Sequence, residues 1–256
     1  MPPEEGNLIF RGYTSQWHRR RRYLWLAVAI LLLAAIWLGR PFWPHQVSSM
    51  VLTGMPSVRV YIPATRQVRT MSLESYVEGV VAAEMPASFP LPALEAQAVA
   101  ARTFAVRRMH VFAGGGCVLD READICADPG TDQAWVPVSE LQRRWGAAYA
   151  ANWDRVTSAV RDTGALILTY EGVPIIAAYG AGGGATTLSA NQGWGGTVPY
   201  LVPRPNPPGS NAPAGTAPEV GMSQWGAKAL ASSGYDFQRI LAYYYPGTKL
   251  SPLFLE

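Results

Sequence analysis

The chain has 256 residues, 49% of them hydrophobic and 15% charged, which fits one sizeable folded domain with an appendage and excludes a disordered chain. A core of that size needs neither metal nor disulfide support. The formal net charge of +3 is unevenly placed: residues 1–40 hold six arginines against two glutamates, and the remainder is close to neutral. No basic surface for nucleic acid is therefore indicated.

Residues 1–22 are polar, contain Gly and Pro and end in Arg19-Arg20-Arg21-Arg22, which predicts a short disordered cytoplasmic tail. From Tyr23 to Gly39 the chain is uncharged and almost wholly apolar. As a helix this stretch rises roughly 25 Å, near the lower limit for crossing a bilayer. Trp25 and Trp37 suit the two interfaces, and the arginine cluster favours the cytoplasmic side. The expectation is one N-terminal transmembrane helix over 23–39 with everything beyond it extracytoplasmic. A cleaved signal peptide competes with it, although no small-x-small cleavage site follows the apolar run. A buried soluble helix is opposed by arginine at both ends. Residues 40–56 then read as a juxtamembrane linker and a first strand. Short strands are expected over 47–53, 57–62 and 67–73, separated by Gly54, Pro56 and Pro63.

Two helices joined at a proline-rich elbow follow. In the first, Ser72 is the expected N-cap and Pro86 marks the end, because proline disfavours helical geometry in the residue before it. At about 100° per residue Glu74 and Glu78 stack on one face, expected in solvent, whereas Glu84 falls beside Val77, Val80 and Val81. A carboxylate among valines, near the negative end of a helix dipole, has its charged form disfavoured and its pKa raised. That property suits a general acid near neutral pH. The alternative is a partly exposed Glu84 at a frayed helix end. The second helix takes Pro92 into its first turn and is alanine-rich, with Leu94, Ala98, Ala101, Ala105 and Met109 in one stripe. Small side chains there admit another backbone closely, so a central buried helix is expected. Gln97 and Arg102 lie within it, either as structural hydrogen-bonding groups or pointing into the elbow that holds Glu84.

The two cysteines of the chain, Cys117 and Cys126, sit in the loop after this helix. Outside the membrane such a pair is most simply a disulfide closing a local loop. The sharper alternative is zinc held by His110, Cys117, Cys126 and Asp124 or Asp128, for which no compact motif supplies the fourth ligand. Residues 139–161 read as one amphipathic helix with Ser139 as its cap, and 166–170 with 173–179 as a hairpin around Glu171-Gly172. The glycine-rich run 179–187 reads as a flexible loop whose backbone N–H groups can approach a sugar. It is no phosphate loop, since no Lys-Ser/Thr follows. Residues 203–218 are proline-rich and irregular, and a last helix is expected from Phe237 to Tyr245.

The run from Glu74 to Thr103, with an acidic residue, Tyr, Gly-Val-Val, Glu-Met-Pro, Ala-Leu and Ala-Gln-Ala-Val-Ala-Ala-Arg-Thr, resembles the SpoIID/LytB family. These bacterial cell-wall proteins include lytic transglycosylases of sporulation and amidase enhancers. Thr131 to Trp135, the Gly-Gly-x-Thr at 183–186, Gly193 to Gly196, Val198 to Leu201 and Tyr245 to Thr248 extend the resemblance. Val220 to Ala227 is similar to the end of the signature Gly-His-Gly-Val-Gly-Met-Ser-Gln-Trp-Gly-Ala, but Pro218 and Glu219 replace the His and Gly. The resemblance covers roughly residues 57–250. It implies an α+β fold: a single SpoIID-like extracytoplasmic domain with the Ala-rich helix at its centre and small antiparallel sheets. It also implies that Glu84 is the catalytic acid/base, with Gln97, Arg102, Gln133, Ser223 and Gln224 orienting sugar or supporting Glu84, or else knitting the domain together. Gln133 and Trp135 would meet a sugar by hydrogen bond and stacking, or lie in the core, and Trp225 and Tyr243 to Tyr245 divide in the same way. Two functions follow from the resemblance. One is a membrane-anchored lytic transglycosylase of peptidoglycan, with no cofactor, no metal and no second carboxylate. The other is a non-catalytic glycan-binding partner of a cell-wall amidase and of other membrane proteins of the same machinery.

Overall fold

The computed structural model describes residues 56–253. The expected tail, the 23–39 span and the strand over 47–53 lie outside the described residues. Among the described residues no helix is long and apolar enough to cross a membrane.

Strands β1 (Ser57–Ile62) and β2 (Gln67–Ser72) form an antiparallel hairpin, with Val58 and Val60 turned into the core. The chain passes directly into α1 (Leu73–Glu84), where the Ser72 hydroxyl accepts the Ser75 N–H at 3.1 Å. This cap satisfies one donor that the first helical turn leaves open. Met85 takes the extended conformation required of a residue before proline and ends the helix. Helix α2 (Leu91–Arg108) starts with Pro92 in its first turn, after an elbow over residues 85–90.

The rest of the chain wraps α2. In order come β3 (Ile125–Cys126), α3 (Val138–Trp145), α4 (Tyr149–Asp162), β4 (Leu166–Tyr170), β5 (Val173–Pro174) and β6 (Tyr179–Gly180). They are followed by α5 (Ala190–Trp194), β7 (Met222–Ser223), α6 (Gln224–Ser232), α7 (Phe237–Tyr244) and β8 (Lys249–Pro252). Helices α1, α4, α6 and α7 and strand β4 all pack on α2, which is buried on nearly every side. Ala96, Ala98, Ala100, Ala101 and Ala105 have no exposed surface, and their small size is what lets so many elements approach one helix. The elbow is pinned from α4, where Arg155 donates to the carbonyls of Ala87 and Phe89, both at 2.7 Å.

Mixed α+β architecture with small sheets is as expected, but the sheets are not all antiparallel. Only β5-β4-β8 is antiparallel throughout; β3 joins β1 in parallel and β6 pairs with β7 in parallel. Both parallel partners arrive after long connections rather than tight turns, so nothing forces them to reverse direction. The helix expected over 139–161 is two helices. Gly146 at φ +49° ends α3 and a short 3₁₀ turn leads into α4; α3 also begins after Pro137, without a cap from Ser139. The hairpin turn at Glu171-Gly172 is present, both residues having positive φ, as a tight twisted turn requires. Its second strand is shorter than expected, because the Ile176 N–H turns to the Tyr200 hydroxyl (2.9 Å) and the chain leaves the sheet.

Candidate active site

Glu84 sits in the last turn of α1, largely withdrawn from water, and each of its oxygens has one polar neighbour. Oε1 accepts the Ala134 N–H at 2.9 Å, and Oε2 accepts the Gln224 side-chain amide at 3.3 Å. Burial pushes the carboxyl above its ordinary value, against the opposing pull of these two donors. Among the described residues no Lys, Arg or His forms an ion pair with it. The acid therefore keeps its proton to higher pH than a solvated glutamate. The Ala134 donor is set by close packing at Gly79, where an added Cβ would collide with the Trp135 indole and the Val136 carbonyl. A larger residue at 79 moves the whole 134–136 segment off α1.

Behind Glu84 lies a buried relay of neutral groups. The Tyr76 hydroxyl donates to Gln133 Oε1 at 3.0 Å, and Gln133 Nε2 donates to the Tyr179 hydroxyl at 2.5 Å. Burial, together with the Glu84 charge, holds both phenols well above their ordinary range, so they stay neutral. Gln133 is thus brought beside the Glu84 segment, but both ends of its amide are spent on tyrosines.

One neighbour escapes the sequence reading altogether. The Glu219 carboxyl is half-buried and raised by that burial and by the Glu84 charge, against the pull of the Ala181 N–H. Glu84 therefore has a carboxylate companion, where none was expected. The available signal was the break in the Val220 to Ala227 motif: an acidic residue stands one step before the run that carries Gln224. Two open cavities flank this region, and Glu84 lines neither. One, of about 540 Å³, includes Trp135, Arg69 and Arg144; the other, of about 300 Å³, includes Tyr179, Trp194 and Glu219.

Several expected site residues go elsewhere. Arg102 is fully buried and binds Glu74 through two hydrogen bonds (2.8 and 2.6 Å), with further bonds to Leu166 O (3.1 Å) and Val160 O (3.2 Å). It knits α1, α2, α4 and β4 together, and Glu74 is its counter-ion rather than a solvated residue. A guanidinium inside a core has to take such partners. Gln97 is fully buried as well, and its amide makes no hydrogen bond among the described residues. Ser223 caps α6 by accepting the Gly226 N–H at 2.9 Å and is not turned to Glu84. Trp225 packs edge-on against Phe89 of the elbow with centroids 5.0 Å apart, while Tyr244 and Tyr245 are core residues. The glycine-rich run is packed at Gly182 and Gly183 and exposed from Gly184 to Thr186. Cβ atoms on Gly182 and Gly183 would meet Ser223 and Thr216, and the Gly183 N–H is taken by Ala217 O at 3.0 Å. Cys117 and Cys126 are joined as a disulfide, and His110 Nδ1 lies 2.8 Å from Asp124 Oδ1.

Residues 61–170 match the SpoIID family model, described as Stage II sporulation protein. The chain is 40% identical over 145 residues to Stage II sporulation protein D of Bacillus amyloliquefaciens, covering 57% of this chain and 41% of that protein. It is 37% identical over 159 residues to the protein of the same name in Bacillus subtilis, covering 62% and 46%. To a Bacillus subtilis protein named Amidase enhancer it is 33% identical over 126 residues, covering 49% of this chain and 14% of that one. The matches span less than half the length of the curated sporulation relatives. The SpoIID match takes in Glu84, Gln97, Arg102 and Gln133. Tyr179, Glu219 and Gln224, like the capping Ser223, lie C-terminal to it.

Proposed function

We propose that this chain is a lytic transglycosylase of peptidoglycan, acting on the bond between N-acetylmuramic acid and N-acetylglucosamine with Glu84 as its acid/base. The observation that carries the reading is a carboxyl desolvated at a helix end, held by one N–H and one amide and, among the described residues, in no ion pair. Such a group donates its proton to the glycosidic oxygen as the C1–O bond breaks and the bonding electrons pass to that oxygen. The resulting carboxylate then takes the proton of the sugar's own C6 hydroxyl while that oxygen closes on C1, giving a 1,6-anhydro end. No water is consumed and Glu84 returns to its starting state. Gln224 and the Ala134 N–H fix the carboxyl while the proton moves. The reading includes a membrane anchor at 23–39 that holds the domain on the cell-wall side.

The test is to incubate the full chain with peptide-stripped glycan strands and to analyse the products by mass spectrometry. Wild type yields 1,6-anhydro-muramoyl ends and Glu84→Gln yields none. Reducing ends from wild type indicate hydrolysis instead, and anhydro ends that persist in Glu84→Gln remove Glu84 from the reaction. A second reading, a glycan-binding partner of an amidase, draws on the similarity to the protein named Amidase enhancer. Binding of strands without any cleavage selects it.

A further inference from the structure

We propose that Lys228 is a positioning residue for Glu84, its ammonium clamping Trp225 of α6 against Phe89 of the elbow and so holding the Gln224 amide on the carboxyl. The inference rests on the transglycosylase reading for its consequence in turnover, while the clamp itself stands on contacts.

The Lys228 ammonium lies 4.6 Å from the centre of the Trp225 ring and 5.3 Å from that of Phe89, within the range at which a cation is attracted to an aromatic face. The two rings meet edge to face with centres 5.0 Å apart, so one cation sits over both members of the pair. Lys228 stands about one helical turn after Trp225, and a long side chain on a helix runs back towards the N-terminus, over the turn that Trp225 occupies. It is half-buried, and among the described residues it forms no ion pair, so the rings are the partners its charge meets.

The clamp joins the two segments that deliver Glu84 and its donor. Phe89 belongs to the elbow that begins directly after Glu84, and Arg155 pins that elbow through the Ala87 and Phe89 carbonyls. Gln224 is the first residue of α6 and directly precedes Trp225. Its amide reaches Glu84 Oε2 at 3.3 Å, a long bond that a small slide of α6 along the elbow would break. The backbone bonds at this turn do not reach the elbow: the Gly226 N–H goes to the Ser223 hydroxyl at 2.9 Å, and the Trp225 N–H to Ala181 O at 3.4 Å. The ring stack is what registers Gln224 against the end of α1.

Burial raises the Glu84 carboxyl, and the Ala134 N–H and the Gln224 amide pull it back. The other titratable groups that share this surrounding are the Tyr76 and Tyr179 hydroxyls, which stay neutral, and Glu219. Releasing the amide therefore leaves Glu84 protonated to still higher pH and its proton less well aimed.

The experiment is a carbon-13 NMR titration of the full chain that follows the carboxyl signal missing from Glu84→Gln. It compares wild type, Lys228→Met, Lys228→Arg and Trp225→Leu, with Lys228→Met repeated in a Gln224→Met background. Lys228→Met is expected to move the Glu84 titration to higher pH, and Trp225→Leu, which changes no charge, to move it the same way. Lys228→Arg should stay near wild type, since a guanidinium also sits on an aromatic face. In the Gln224→Met background Lys228→Met should add nothing, because the amide through which it acts is gone. Release of anhydro ends from peptide-stripped strands should fall about tenfold in kcat for Lys228→Met, with KM within about twofold and the alkaline limb moved to higher pH. A wild-type titration in Lys228→Met overturns the clamp. So does a shift that persists undiminished without Gln224, which is the lysine charge acting through space. An inactive wild type overturns the transglycosylase reading alone, and the titration still decides the clamp. Where thermal melts show Lys228→Met unfolded, Lys228→Gln and Trp225→Leu decide by the same titration.

Discussion

Replacing Arg102 by methionine separates a structural arginine from a ligand-binding one. The side chain has no exposed surface and places four hydrogen bonds: two on Glu74 and one each on the carbonyls of Leu166 and Val160. Removing one partner of a buried ion pair costs about 3–5 kcal/mol, since the other charge is left unpaired. Glu74 retains 23% of its side-chain exposure and rehydrates in part, which places the loss near the lower end, about 3 kcal/mol. For a domain of this size that is a fall in Tm of about 6–12 °C. Circular-dichroism melts of the full chain read it directly. Adding Glu74→Gln to Arg102→Met should cost less than the sum of the single changes, as expected for coupled partners. A variant that melts within about 2 °C of wild type yet no longer binds glycan strands would refute the reasoning and return Arg102 to the ligand-contacting role implied by the family resemblance.

Three further outcomes follow from the same geometry. Gln97→Met removes a fully buried amide that has no hydrogen-bond partner among the described residues, and urea unfolding should show a gain of about 1–3 kcal/mol; a loss would mean that the amide is satisfied by a group it meets in the folded protein. Reduction of Cys117–Cys126, or Cys117→Ser with Cys126→Ser, frees a loop with a sequence separation of 9 and should lower stability by about 3 kcal/mol in the chain-entropy account, measured as a shift in the urea midpoint. Burial raises the folded Glu84 carboxyl above its ordinary 4.5, so its contribution to stability is complete below that value and is lost as pH rises through the raised one. Glu84→Gln, which cannot ionise, should therefore melt higher than wild type near neutral pH and converge with it in acid, and equal melting curves at neutral pH would show that Glu84 pays no cost for its burial.

The half of the site that was legible in the sequence is the half built from adjacent residues. Ser72, Pro86 and Pro92 mark the ends of α1 and α2, the alanine spacing marks a crowded helix, and the 3.6-residue period puts Glu84 among valines without any knowledge of what packs there. The other half depends on partners far along the chain. Period alone places Arg102 on a helix face but cannot say that Glu74, 28 residues earlier, and the carbonyls of Val160 and Leu166 converge on it. Likewise Glu219 reads as a loop residue until β6 and β7 pair across a connection of more than forty residues and lay it over Gly180. The same connection packs Gly182 and Gly183 of the glycine-rich run, which in isolation reads as an open, flexible loop. The elbow is thus specified locally, with Arg155 pinning it from one neighbouring helix, while the electrostatic surroundings of Glu84 are assembled by the β6–β7 pairing. A side chain at Gly180 would meet the Glu219 carboxyl, whereas one at Gly79 would push away the 134–136 segment that carries the Ala134 donor, so Gly79 variants probe the positioning of Glu84 directly.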